Sequence, residues 1–459
     1  MIRTSRETDA VRPRSSRRWV VAGVAVVTGL AAVSTVLAAG ALERGPRVRA
    51  VDGDPSLTVV QSGVTLVFRA DQPLDPRSGE GVAVEPAAPF QVEVTGSTLR
   101  LRFTDTVDHA HEYRVSIPAL RGRATGATAP AEFDFVTPPL TVTTLERGGG
   151  FDRVGGADDR IVRHDLSSGA DEVIFSAPRI QEYADDGNGV VAAVLDEDGR
   201  TTLTRAADGA DPVPLPLPGE GAVGLVRASA DAGRTGFVFT STGGGDQQYI
   251  STLFLVDSAD PGAGPHAVLG IDGLPLQADS WFFIPGSSYL VAQTPTGTLV
   301  LLDATGAAPP RLLGEVGSLR EVLPASTSLV VDGTTGPAVL DLTNGSLTDI
   351  VGAVVDEVST GTVFLSDSSS VQWTATDVVR RVASQPDAAV FRAGVGGRIE
   401  EVCVSPSGRY AAVGVVRADA EIDDYPTRAE WLGRTSTVVD VASGDVIAEV
   451  PGTRPDWCA

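Results

Sequence analysis

Residues able to do chemistry are sparse in this chain, and their spacing argues against most reaction classes. All 36 basic residues are arginine. Without lysine there is neither a Schiff base nor the lysine of a phosphate-binding loop. No G-x-S-x-G, H-E-x-x-H or C-x-x-C occurs. Gly219-Glu220-Gly221-Ala222-Val223-Gly224 spells the glycine pattern of a dinucleotide site, which needs a strand before it and a helix after it. Here VPLPLP precedes and a strand pattern follows, so the run reads as a loop between repeats. His109 and His111 with Glu112 form the one local cluster of metal-ligand type. Residues two apart on a strand share a face, so the imidazoles could converge on a metal, whereas a place in the turn before Tyr113 would leave them solvated. His164 and His266 are isolated, which leaves no Ser/His/Asp constellation visible. Asp419, Glu421, Asp423 and Asp424 gather on one segment. Their oxygens could serve calcium, and they are equally what an exposed loop of an acidic protein carries. The same segment holds Tyr425 and Trp431, aromatics flanked by charge and hence candidate partner contacts, with core packing the alternative for Trp431. No catalytic residue, cofactor or metal ligand is assigned.

The position of these residues in the cell is set at the other end of the chain. Trp19 to Leu42 is a run of 24 residues without a charge, enough for one tilted membrane-spanning helix. Arg3, Arg6, Arg12, Arg14, Arg17 and Arg18 precede it and predict a cytoplasmic N-terminus. The run is long for a secretory signal, which favours an uncleaved anchor; Ala39-Gly40-Ala41 keeps cleavage open, and Ser16-Arg17-Arg18-Trp19 keeps twin-arginine export open. Six arginines against Glu7 and Asp9 give the first 18 residues +4, so the rest of a chain of net −23 carries −27. That charge disfavours nucleic acid and suits an exported domain. Cys403 and Cys458 are the only cysteines, and outside the cytoplasm two without metal-type spacing predict a disulfide.

Two rhythms follow the apolar run. From about residue 50 to 137, apolar residues alternate: Leu66 and Phe68, Val82 and Val84, Leu99, Leu101 and Phe103, Tyr113, Val115 and Ile117, Phe133 and Phe135. Period-two runs separated by turn residues predict an antiparallel β-sandwich. The pieces GVTLVFRADQPLDP, VAVEP, GSTLRLRF, HEYRVSIPAL and FDFVTPP resemble the bacterial Ig-like domain of S-layer-type surface proteins, and the resemblance implies a spacer.

After Pro138-Pro139 a strand ending in aspartate and a small polar turn recurs, at Asp165, Asp208, Asp257, Asp303, Asp341, Asp377 and Asp440. A period near 40 predicts a β-propeller over residues 140–459, and seven landmarks predict seven blades. Arg417 to Arg434 interrupts the rhythm as an insertion. IEEVCVSPSGRYAAVGVV, residues 399–416, resembles the inner hairpin of TolB-like and WD-repeat propellers. Blade one has room for only three strands, and the final PGTRPDWCA falls where its innermost strand belongs. The tail is therefore expected to close the ring, with the Cys403–Cys458 bond locking it.

The whole predicts an all-β protein: a cytoplasmic tail (1–18), a membrane helix (19–42), an Ig-like domain (50–137) and an extracytoplasmic propeller. Binding of an envelope protein or surface polymer is the expected role, because rigid propellers present variable loops. The rival is a propeller enzyme acting on envelope polysaccharide or another extracellular substrate.

Overall fold

Alternating apolar residues separated by Gly/Asp turns can bury one face only by pairing strands into sheets, and the described residues are built mainly of such sheets. The computed structural model describes residues 44–148 and 157–458, apart from 197, 208, 244–247, 351–358, 424 and 426–427. The expected membrane helix at 19–42, the basic tail, Asp208 and Asp424 lie outside the described residues. Among the described residues no helix is long and apolar enough to cross a membrane.

The described chain forms two compact units. The first runs to Pro55 and includes Gly63–Thr104 and Glu112–Val136; the second takes Ser56–Ser62, Asp105–His111 and everything from Thr137.

The first unit has seven strands: β1 (Val48–Asp52), β2 (Thr65–Ala70), β3 (Ala83–Glu85), β4 (Phe90–Thr95), β5 (Thr98–Phe103), β6 (Glu112–Arg121) and β7 (Thr128–Val136). They pair antiparallel as two sheets, β1-β2-β5-β4 and β3-β6-β7. Leu99, Leu101 and Phe103 are buried while Arg100 and Arg102 face out, as strand alternation requires. Edge-to-face rings join the two sheets, Phe68 to Phe133 at 5.8 Å and Phe103 to Phe135 at 6.2 Å.

The second unit holds seven consecutive antiparallel sheets, or blades, each threaded in chain order. Blade one has three strands, Thr141–Glu146, Asp159–Asp165 and Ala170–Ala177. Blades two to seven have four each, beginning at Ile180–Asp185, Gly221–Ser229, Ser280–Phe283, Leu319–Val322, Gly361–Phe364 and Gly397–Val404. An apolar cluster joins every neighbouring pair, and the last joins blade seven to blade one through Val142, Ala412 and Val438. The sheets therefore close into a ring, the β-propeller architecture.

The aspartate landmarks have a local cause. Asp165, Asp257, Asp303, Asp341 and Asp440 each accept the backbone N–H two residues on, at 2.7 to 2.9 Å, which fixes the turn between a blade's last two strands. These short bonds from their own turns hold several of the carboxyls below the usual range, Asp341 for instance by its bonds to Thr343. Asp377 departs from the pattern: it opens a strand, Asp377–Arg381, and pairs with Arg392 at 2.5 Å.

Ring closure takes the expected place with less backbone pairing than a full strand would give. Leu145 and Thr453 exchange both backbone hydrogen bonds at 2.9 Å, as a single antiparallel bridge. Arg454 then adopts a φ of 53°, Pro455 has no N–H to donate, and the chain turns into a short helical turn, Asp456–Cys458. Side chains supply what the ladder lacks. Thr143 N donates to Asp456 at 2.9 Å, and the Tyr183 hydroxyl donates to the Arg454 carbonyl at 2.6 Å. Cys458 is disulfide-bonded to Cys403 in the innermost strand of blade seven, with Cα atoms 5.0 Å apart.

Candidate functional site

The insertion that breaks the sequence rhythm is the most elaborately held segment of the propeller. It leaves strand Tyr410–Arg417, returns at Thr435, and is pinned to blades one and two by buried polar groups. Asp423 is the hub: its Oδ1 accepts Tyr425 N at 3.2 Å and Glu430 N at 3.0 Å, and its Oδ2 receives the Arg147 guanidinium at 2.5 Å. The two side chains of this ion pair are only 0% and 2% exposed. Arg147 also donates to the carbonyls of Arg428 and Gln181 at 2.9 and 3.3 Å, which ties the insertion to the first strand of blade two.

Tyr425 is buried, which corrects its assignment as an exposed partner contact. Its hydroxyl donates to the Asp159 carboxylate at 2.9 Å, and the Arg147 guanidinium lies over its ring at 4.3 Å. Burial raises the Asp159 carboxyl above its ordinary range, and the same burial, next to that carboxylate, raises the Tyr425 phenol. Trp431 is half-buried, with Arg398 over its ring at 5.0 Å. The described acidic residues of this segment, Asp419, Glu421 and Asp423, are not gathered as metal ligands. Asp419 points out to Arg417 at 3.0 Å while Asp423 points in to Arg147. The two histidines likewise turn to backbone carbonyls, His109 Nδ1 to Pro138 O at 3.2 Å and His111 Nδ1 to His109 O at 2.6 Å. Among the described residues the one group of three metal-type side chains is Glu401 with Cys403 and Cys458, whose sulfurs are joined to each other. Gly221 and Gly224 of the glycine run lie in the innermost strand of blade three, which corrects the expectation of a loop between repeats: the glycines open a paired strand, and no helix follows.

Between blade one, the insertion and the tail lies a cavity of about 190 Å³, walled by Glu146, Arg147, Trp431, Arg434 and residues 451–453. Arg434 reaches it by lying flat on the backbone of Gly414, where a Cβ would stand 2.2 Å from its Nη2. It pairs with Glu401 at 2.6 Å and Glu430 at 3.3 Å, and its side chain is 5% exposed. The Nε–H groups of Arg147 and Arg434 are buried and meet no acceptor in the protein. A buried donor left unpaired costs about 1–3 kcal/mol, so both guanidinium groups carry an unsatisfied N–H at the cavity's edge. The lining itself combines one aromatic side chain, Trp431, with the charged Glu146, Arg147 and Arg434.

The innermost strands carry a second polar set. Their registers slip in blades two, three, five and seven, next to Glu182, Arg227, Glu321 and Glu401. Two of these carboxylates fasten the following blade. Glu182 accepts Val226 N at 3.1 Å and Glu321 accepts Phe364 N at 3.0 Å. Burial pushes Glu321 up to about 7, and burial together with the nearby Asp185 carboxylate pushes Asp456 up to about 7.

A carboxyl raised on folding holds its proton more tightly in the native state. Its stabilising effect is present in acid and is lost as pH rises toward the folded value, here between about 4 and about 7. Asp456→Asn keeps an acceptor for Thr143 N and removes the titration. Thermal unfolding from pH 4 to 8 is expected to show a smaller loss of stability in the variant than in the parent across that window. Parallel pH profiles would refute the shift.

No family model matches the chain, and no curated protein matches it. Solved structures resemble it distantly. Dihydro-heme d1 dehydrogenase NirN is 15% identical over 76% of this chain and 72% of that one, with a TM-score of 0.39. An oligogalacturonate lyase from Vibrio parahaemolyticus is 9% identical over 71% and 96%, at 0.41, and apo AztD from Citrobacter koseri is 14% identical over 69% and 97%, at 0.36. At such scores the likeness carries no functional argument, and the propeller assignment rests on the strand pairing described above.

Proposed function

We propose that this protein is a membrane-anchored, extracytoplasmic binding protein that holds a surface polymer on the insertion-bearing side of its propeller. The uncharged run at 19–42 behind six arginines supports the anchor. The disulfide suits an oxidising exterior. The sheet order of the first unit matches the ABED and CFG sheets of a constant-type immunoglobulin domain, which supports the Ig-like reading and a spacer role.

One observation carries the binding reading. A long insertion is locked by a fully buried ion pair and presents a half-buried Trp431 beside two buried N–H donors without acceptors. The hydroxyls of a polysaccharide would pair with the polar side chains that line the cavity while the C–H face of a sugar covers the indole. For the rival enzyme, the carboxylates held near neutrality would be natural acids. Asp456 and Glu321 are instead each engaged by a backbone amide, which supports a structural use of both.

Intact cells displaying the full chain should retain fluorescently labelled polysaccharide purified from their own envelope. Cells displaying Trp431→Ala at equal surface density should retain at least about tenfold less, a loss of roughly 1.4 kcal/mol. Equal retention by the two would remove the cavity from the binding surface.

A further inference from the structure

We propose that Arg227 and Arg454, with Arg428 beside them, form an oxyanion-binding site at the centre of the propeller, taking a carboxylate or phosphate group. None of its three arginines lines the Trp431 cavity, and the site does not depend on the polymer reading.

Arg227 belongs to the innermost strand of blade three, just past the register slip between Gly224 and Arg227. Its guanidinium carbon stands 4.1 Å from the centroid of the Phe282 ring and 5.9 Å from that of Trp281, both on the innermost strand of blade four. Trp281 is itself fixed by donating to Leu225 O at 3.1 Å, so the aromatic platform is rigid. Among the described residues no carboxylate lies within ion-pair distance of Arg227, and its buried Nε–H has no acceptor.

The acid that acts on it electrostatically is Glu182, and that carboxylate is already engaged. One oxygen accepts Val226 N at 3.1 Å, and the other faces Arg454 at 3.5 Å and Arg428 at 3.8 Å. Arg428 has a second partner in Glu430 at 3.4 Å. Arg454 also donates to Gln181 O at 3.2 Å. Arg227 therefore stands as an unneutralised cation in a chain of net −23.

Burial pushes Arg227 down to about 10, with Arg454 adding repulsion, and burial with the Arg428 charge lowers Arg454 as well. Arg227 is thus short of negative charge, and Arg454 has only a share in the Glu182 carboxylate that Arg428 also faces. A guanidinium stacked on a rigid ring keeps its planar fork of donors free at the edge, and that fork matches the two oxygens of a carboxylate or phosphate.

The test uses the detergent-solubilised full chain, with sodium acetate and inorganic phosphate titrated separately against sodium chloride at constant ionic strength. Melting temperature and calorimetric heats are read in parallel. At least one of the two anions should bind and raise the melting temperature beyond chloride, which also identifies the preferred group. Arg227→Gln should weaken that binding at least about tenfold without lowering the stability of the free protein, because it removes an unpaired buried charge. Arg227→Lys should lose part of the affinity, since a point charge replaces the fork. Glu182→Gln keeps an acceptor for Val226 N and removes the competing charge, so it should bind several-fold tighter. Arg392→Gln, at an exposed pair elsewhere, should bind as the parent does. Absence of binding by both anions would overturn the site, as would affinities unmoved by Arg227→Gln and Glu182→Gln.

Discussion

Removal of residues 451–459 is expected to abolish the propeller's unfolding transition at the parent's temperature and leave an aggregation-prone protein. Three losses coincide. The disulfide closes a loop of 55 residues, for which chain entropy predicts about 4 kcal/mol. The bridge between Leu145 and Thr453 disappears, exposing the edge of a three-stranded blade. Thr143 N loses Asp456, at about 1–3 kcal/mol for a group left unpaired in the interior, and the buried Tyr183 hydroxyl loses Arg454 O and keeps Thr143 O at 2.6 Å. In a ring each blade leans on two neighbours, so opening one interface weakens the cooperative whole.

The double variant Cys403→Ser/Cys458→Ser separates these contributions. It keeps the bridge and the side-chain bonds and should fall between parent and truncation, by an amount near the loop-closure estimate. Differential scanning calorimetry on the three proteins is the measurement. A truncated chain that melts with the parent would show that the tail does not close the ring.

The second large effect is at Arg147. Replacing it with Met leaves the Asp423 carboxylate, 0% exposed, without its cation. Breaking one side of a buried pair costs about 3–5 kcal/mol, far above the value of a surface ion pair. The damage should be local. Residues 417–434 should lose hydrogen-exchange protection and become cleavable by protease, while the hairpins of blades three to five keep theirs.

A compensating change makes the cause testable. Asp423→Asn retains the Oδ1 that accepts Tyr425 N and Glu430 N, and it removes the charge. Arg147→Met/Asp423→Asn should therefore recover most of what Arg147→Met loses. If the double variant is as labile as the single one, the insertion depends on the shape of Arg147 or on its bonds to Arg428 and Gln181, and not on the neutralisation of Asp423.

Much of the architecture was legible in the sequence, because it repeats locally. Turns such as that at Asp341 are made by a side chain bonding two residues ahead, so five of the blades announce themselves within a few residues. The failure at Asp377 shows the limit, since its side chain pairs across strands with Arg392 and only the spacing still marked the blade. Blade one's shortage of a strand and the surplus at the tail could be matched by counting, and the cysteine pair followed from there being only two.

The candidate sites were not legible in this way. Asp423 meets Arg147 from 276 residues away and Tyr425 meets Asp159 from 266, on segments whose own patterns signal nothing. A tyrosine among charges reads as exposed until the fold brings the distant Asp159 and Arg147 to its hydroxyl and ring. Arg227 gave no signal in the chain, because its distinction is the absence of a carboxylate, and an absence depends on every neighbour the ring brings near. Sequence alone therefore determined the all-β architecture, the number of repeats and the place of closure, since these depend on short-range turns and on alternation. Only the tertiary structure decided which arginines are neutralised and which are not, because electrostatic pairing in a closed ring is set by residues far apart in the chain and close in space.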